Sequence, residues 1–184
     1  VRHGQPIVDR EALPRLTWQE YVGWWQRYEA SSLKPGQVPP KALLAATARA
    51  PFLFASIRPR AIETAQAIAG ARHVRSDPMF VEAALPPPRW GKRQLLPKTW
   101  NKWARLWWMF GHSLEDEPKS AAKARARQAA ARLVETAEAG GHDVVLCAHG
   151  WFNRMLRPEF ARLGWRCVRD GGDSYWSFRV YERR

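Results

Sequence analysis

Two apolar runs of strand length, Phe52-Leu53-Phe54-Ala55 and Val144-Val145-Leu146-Cys147-Ala148, constrain the fold more than any other feature of this chain. Each follows turn residues and lacks polar alternation, the pattern of a strand covered on both faces. Helices on both sides of a parallel sheet supply that cover. Pro59 can open a helix that ends at Gly70, because proline is tolerated in a first turn and glycine suits the position after the last. The alanine-rich stretch 121–139 predicts a second helix, stopped by Gly140-Gly141. His73-Val74-Arg75 reads as a weaker strand, and Tyr175-Trp176-Ser177-Phe178-Arg179-Val180-Tyr181 alternates as an edge strand would. The expected class is α/β, a three-layer α/β/α sandwich with a mostly parallel central sheet, in one domain over residues 1–184.

Two further helices stand outside that alternation. Thr17 and Glu20 form a capping box, with Leu16 and Tyr21 spaced as a hydrophobic staple. Winding residues 18–28 at about 100° each gathers Trp18, Tyr21, Val22, Trp24, Trp25 and Tyr28 on one face. In residues 98–110 the same winding gathers Trp100, Trp103, Leu106, Trp107 and Phe110, and sets Lys98, Lys102 and Arg105 opposite.

His3-Gly4 and His149-Gly150 each sit where a strand should end, so both histidines can meet at the carboxyl edge of one sheet, where α/β folds place their chemistry. Between them lies Ser56-Ile57-Arg58-Pro59-Arg60-Ala61-Ile62-Glu63-Thr64-Ala65. Together with Arg2, these segments resemble the histidine phosphatase (phosphoglycerate mutase-like) superfamily in order and approximate spacing, over nearly the whole chain. The resemblance implies metal-independent hydrolysis of a phosphate monoester, without a cofactor, through a phosphohistidine at His3. A nucleophilic histidine needs one ring nitrogen unprotonated and the other fixed by a hydrogen bond; in the family a backbone carbonyl just after it does the fixing. Arg2 and Arg60 match the guanidinium positions that bind phosphoryl oxygens, and His149 matches a second donor. Arg60, not Arg58, falls in the family's S-x-x-x-R-A-x-x-T-A register.

Glu82 stands where the family supplies the acid that protonates the leaving oxygen, with Asp77 the next candidate. The chain departs from many relatives just afterwards, reading Ala84-Leu85-Pro86-Pro87-Pro88. It departs also in having only Val1 before Arg2, where relatives carry four or five apolar residues, so the first strand is largely missing from this chain. That leaves room for a signal segment upstream. The resemblance further implies a helical lid, here about 14–40 and 86–118, with Trp107, Lys102 and Arg105 as substrate-side candidates. A protein phosphohistidine phosphatase and a non-catalytic phosphate-binding member of the same fold are the alternative readings.

Composition narrows the rest. No stretch approaches the ~20 apolar residues of a membrane span. Two cysteines, Cys147 and Cys167, give no disulfide framework and make a reducing cytoplasm the default compartment. Cys147 and Arg154 nearly imitate a cysteine-phosphatase loop, but one residue too many separates them. His73, His112 and His142 have no metal-ligand spacing, so no metal is expected. The net charge of +13 favours anionic partners, a phosphorylated small molecule or a phosphoprotein. Between Glu82 and Glu115 there is no acidic residue, while Arg89, Lys92, Arg93, Lys98, Lys102 and Arg105 all fall there. The chain holds eleven tryptophans, and Lys98-Thr99-Trp100-Asn101-Lys102-Trp103 interleaves bases and rings as single-strand nucleic-acid grooves do, yet the helical phase favours a lid core over a nucleic-acid platform or a membrane-interface helix. The sequence carries no reading of oligomeric state.

Overall fold

The computed structural model describes residues 1–10, 14–113 and 116–183; residues 114–115 of the expected second lid segment lie outside the described residues. At its centre β1 (Phe52–Ser56) pairs in parallel with β2 (His73–Asp77) on one side and β3 (Val145–Cys147) on the other. Side chains alternate across the sheet with period two. Leu53, Ala55, Val145 and Cys147 pack with Ala65, Ile68 and Ala69 of α3 (Pro59–Ala69). Phe54 and Ala148 pack on the opposite face against α5 (Lys119–Gly140) and α6 (Gly150–Arg162). The fold is thus α/β with a mostly parallel sheet flanked by helices.

Beside β3 the first residues continue the sheet: Arg2 bridges Ala148 in parallel, and the His3 amide donates to the Ala148 carbonyl at 3.0 Å. The Arg2 amide donates to the Ser177 carbonyl at 2.8 Å. That bond ties the start of the chain to the antiparallel pair β4 (Trp165–Asp170) and β5 (Arg179–Arg183).

Most expected elements form, with differences that have physical reasons. The alternating segment 175–181 is a strand only from Arg179, because Trp176 turns the chain at a φ of 63°. β4 and two helices, α2 (Lys41–Thr47) and α6, carry no signal used above. Arg166, Val168, Arg169 and Asp170 of β4 are exposed, so the strand lacks an apolar run. α1 (Trp18–Glu29) forms with its capping box intact, and Leu16 and Tyr21 share one core cluster.

α4 (Pro97–Met109) turns a different face inward from the one that hydropathy selects. Its buried residues are Pro97, Trp100, Ala104 and Trp108. Trp103, Leu106 and Phe110, expected inside, are 41%, 42% and 75% exposed. Arg105, expected outside, is turned in and donates to the Ala83 and Ala84 carbonyls at 3.1 and 3.0 Å. The reason is polar satisfaction: Asn101 also flanks the buried stripe, accepting from the Tyr21 hydroxyl at 2.6 Å, and Ala104 fits without demanding volume. A polar side chain with a partner costs little to bury, and hydropathy alone cannot see the partner.

Candidate active site

The carboxyl ends of β1 and β3 and the segment Arg2-His3-Gly4 converge, bringing Ser56, His149 and His3 to one edge of the sheet. The two histidine rings lie 5.2 Å apart, both buried. Nδ1 of His3 is 2.7 Å from the Gly4 carbonyl oxygen, to which it donates. Nε2 therefore keeps its lone pair and accepts from Arg60 Nε at 3.2 Å. His149 has the opposite tautomer, Nδ1 accepting from Arg60 Nη2 at 3.2 Å and Nε2 donating to Ser56 Oγ at 2.9 Å. Burial, reinforced by the Arg60 charge, holds both rings well below the ordinary histidine range, so both are neutral at pH 7.

The motif around Arg60 is explained residue by residue. Ser56 fixes the tautomer of His149, and Thr64 ties two segments together. Its Oγ1 accepts from the Gly4 amide at 2.9 Å and donates to the Arg60 carbonyl at 2.6 Å. Gly4 is required by close approach, since a Cβ there would stand 2.5 Å from the Trp176 ring. Arg60, in the first turn of α3, turns its buried guanidinium toward the two histidine rings. There it donates to the carbonyls of Tyr28 and Glu29 at 2.9 and 3.0 Å and to the Glu29 carboxylate at 2.5 Å.

Arg2 and a third guanidinium complete a cationic basin. Arg2 donates through Nη1 to the Asp173 carbonyl and lies over the Tyr175 ring, 4.6 Å from its centre. Its Nε is buried with no hydrogen-bond partner among the described residues. Burial and then the Arg10 charge disfavour the charged form of Arg2. Arg10 lies over the other rings of the wall, 5.3 Å from Tyr175 and 6.0 Å from Tyr28, and donates to the Tyr175 hydroxyl at 3.1 Å. Tyr175 in turn lies 5.7 Å from His3. Burial pushes the Tyr28 phenol up to about 12.

Glu82 follows the 3-10 turn Pro78–Phe80 and meets the N-terminus of α6. Oε1 accepts from the amides of Ala83 and Phe152 at 3.0 and 2.8 Å, and Oε2 from Trp151 at 3.1 Å. Its charge favours the charged forms of Arg2, Arg10 and Arg105. Asp77 is directed elsewhere, capping Met79 and pairing with Arg132.

Of the substrate-side candidates, Arg105 alone reaches this neighbourhood, its guanidinium 4.8 Å from the Trp151 ring centre. Lys102 is exposed and Trp107 stacks on His112 at 3.9 Å. Glu29, Arg10, Tyr28 and Tyr175 were not singled out for the site from sequence. The first three lie on segments without a motif; a ring two residues after Asp173 in a turn gives no signal either. The thiol of Cys147 is enclosed in β3 and pushed up to about 11 by burial, and Arg154 pairs with Asp173 instead.

Comparison with solved structures finds the same fold. An open-reading-frame product of Mycobacterium tuberculosis is 17% identical, with a TM-score of 0.56 covering 97% of this chain and 92% of that one. The ecdysone phosphate phosphatase of Bombyx mori, solved with tungstate, is 15% identical, with a TM-score of 0.53 over 95% and 80% of the two chains. A phosphoserine phosphatase of Entamoeba histolytica, solved with 3-phosphoglyceric acid, is 13% identical, with a TM-score of 0.53 over 100% and 94%. A search of curated proteins finds no significant match. The family model for the histidine phosphatase superfamily (branch 1) matches residues 36–173, which hold Arg60, Glu82 and His149; Arg2 and His3 join them through the geometry above. With most of its length matched by that model, the chain belongs to the histidine phosphatase superfamily.

Proposed function

We propose that this protein hydrolyses a phosphate monoester in two steps through a phosphohistidine at His3. One observation carries the reading. His3 is neutral, fixed through Nδ1 on the Gly4 carbonyl, and presents Nε2 to Arg60 beside Arg2 and Arg10. The Nε2 lone pair attacks phosphorus and the bond from phosphorus to the ester oxygen breaks, so the leaving oxygen needs a proton. Arg2, Arg60 and Arg10 balance the charge on the phosphoryl oxygens as it passes, and His149, which takes up a proton on Nδ1 when the phosphate dianion is bound and Arg60 has left that nitrogen, donates from the far side. Arg60 reaches the phosphoryl group by exchanging its bonds to the two histidine rings for bonds to oxygen.

Glu82 is assigned the proton. Its Oε2, with a single amide donor, has the room to carry it. In the second step the carboxylate accepts a proton from water as water attacks the phosphohistidine, giving inorganic phosphate and restoring both groups. Three backbone amides already donate to Glu82, and that occupation of both oxygens is the specific observation behind the non-catalytic phosphate-binding reading.

Substrate selection is assigned to the segments about 14–40 and 86–118. α1 supplies Tyr28 and Glu29 to Arg60, and it packs on α4 through Tyr21 and Trp100. The substrate is a phosphorylated metabolite or a phosphoprotein. Release of p-nitrophenol from its phosphate ester, with and without chelator, tests the reading. Equal turnover in both supports a metal-independent phosphatase. Tight binding of phosphate without turnover would leave only the non-catalytic one.

A further inference from the structure

The outward face of α4 is an apolar surface in a cationic setting. Trp103, Leu106, Met109 and Phe110 are each at least 40% exposed and lie on the side opposite Trp100, Ala104 and Trp108. At about 100° per residue Lys102 falls beside Leu106 on this face, exposed and without an ion pair among the described residues. The loop before the helix widens the surface. Trp90 meets Trp103 edge-on at 5.0 Å, and Arg93 lies over Trp90 at 5.6 Å with Lys92 exposed next to it.

The charge selects the occupant. No acidic residue occurs between Glu82 and Glu115, so a second copy brought face to face would oppose like charges across the apolar strip. A nucleic acid would use open ring faces and cations, and would leave Leu106, Met109 and Phe110 without a role. An anionic bilayer uses both parts, taking apolar side chains to the acyl boundary while Lys and Arg remain at the headgroups. We propose that the outer face of α4 docks this protein on anionic membrane surfaces, lying in the interface without spanning it. Among the described residues no helix is long and apolar enough to cross a membrane.

Sedimentation of the full chain with phosphatidylcholine vesicles, with and without phosphatidylserine, tests this. Binding is expected to the phosphatidylserine vesicles and to weaken as salt is added. The paired variant Leu106→Glu with Phe110→Glu should bind at least about tenfold more weakly. Lys102→Glu should reduce binding and Lys102→Arg preserve it. Unchanged far-UV circular dichroism establishes that each variant is folded. The proposal is overturned if the folded parent ignores phosphatidylserine vesicles, or if the paired variant binds them as well as the parent does. It is overturned equally if the same pair of substitutions abolishes a monomer–dimer equilibrium, or retention on a single-stranded oligonucleotide, while vesicle binding persists.

Discussion

Arg60 directs every N–H of its guanidinium at a protein acceptor: both histidine rings, two carbonyls and the Glu29 carboxylate. A buried cation held this way stays poised, because each bond it gives to a phosphoryl oxygen replaces one it already makes. Arg10 differs, being braced by the Tyr175 hydroxyl and two rings. Arg10→Ala should therefore raise KM for an aryl phosphate severalfold with a smaller fall in kcat, and Tyr175→Phe should follow in the same direction; unchanged KM in both would remove Arg10 from the site. Gly4→Ala forces a Cβ against Trp176 and should cost about 1–3 kcal/mol, read as a lower urea midpoint. The histidines give a pH signature. With both folded-state values depressed, the unfolded chain takes up protons below about pH 6.5 that the folded chain refuses. Stability should be complete above that pH and fall as acidification proceeds toward the folded-state values. A urea midpoint that holds steady or rises from about pH 7 to about pH 5 would contradict the neutral assignment. His3, Arg60 and His149 were legible because a motif of fixed spacing carries each of them. Glu29 was not, because an acidic residue at a helix end reads as solvated until its partner from another element is known.

At the scale of elements, α4 shows how hydropathy can find a helix and still misplace its face. Trp100 is fully enclosed with Nε1 bonded to the Leu16 carbonyl at 2.7 Å, whereas Trp103 is 41% exposed. Trp100→Ala should cost about 3–5 kcal/mol of stability, and Trp103→Ala should stay within about 0.5 kcal/mol. Equal losses would restore the face that the hydropathy pattern selects. The strands divide the same way. β1 and β3, apolar on both faces, were readable from composition alone, and β2 was readable as a weaker strand. β4 was not, since its exposed arginines break the pattern that burial would impose. The shift of β5 follows from Trp176, whose left-handed φ ends any strand there and whose ring fills the space beside Gly4.

At the scale of the molecule, one sheet edge gathers His3, Ser56 and His149 from distant parts of the chain. The net charge of +13 should make kcat/KM for an anionic ester fall as ionic strength rises, with kcat less affected. An insensitive kcat/KM would show that the long-range field is unimportant. The sequence singles out Arg2, His3, Arg60 and His149 as candidates because each lies in a short segment of recognisable spacing; it does not show the bonds from Arg60 to Tyr28 and Glu29, which join segments far apart in the chain. The central claim is the covalent one, and rapid-quench labelling with a radiolabelled phosphate ester addresses it most directly. The account predicts acid-labile, base-stable phosphate on His3 that forms and decays at rates consistent with turnover and is absent from a folded, inactive His3→Ala variant. Turnover that persists in that variant, or label recovered on another residue, would contradict it.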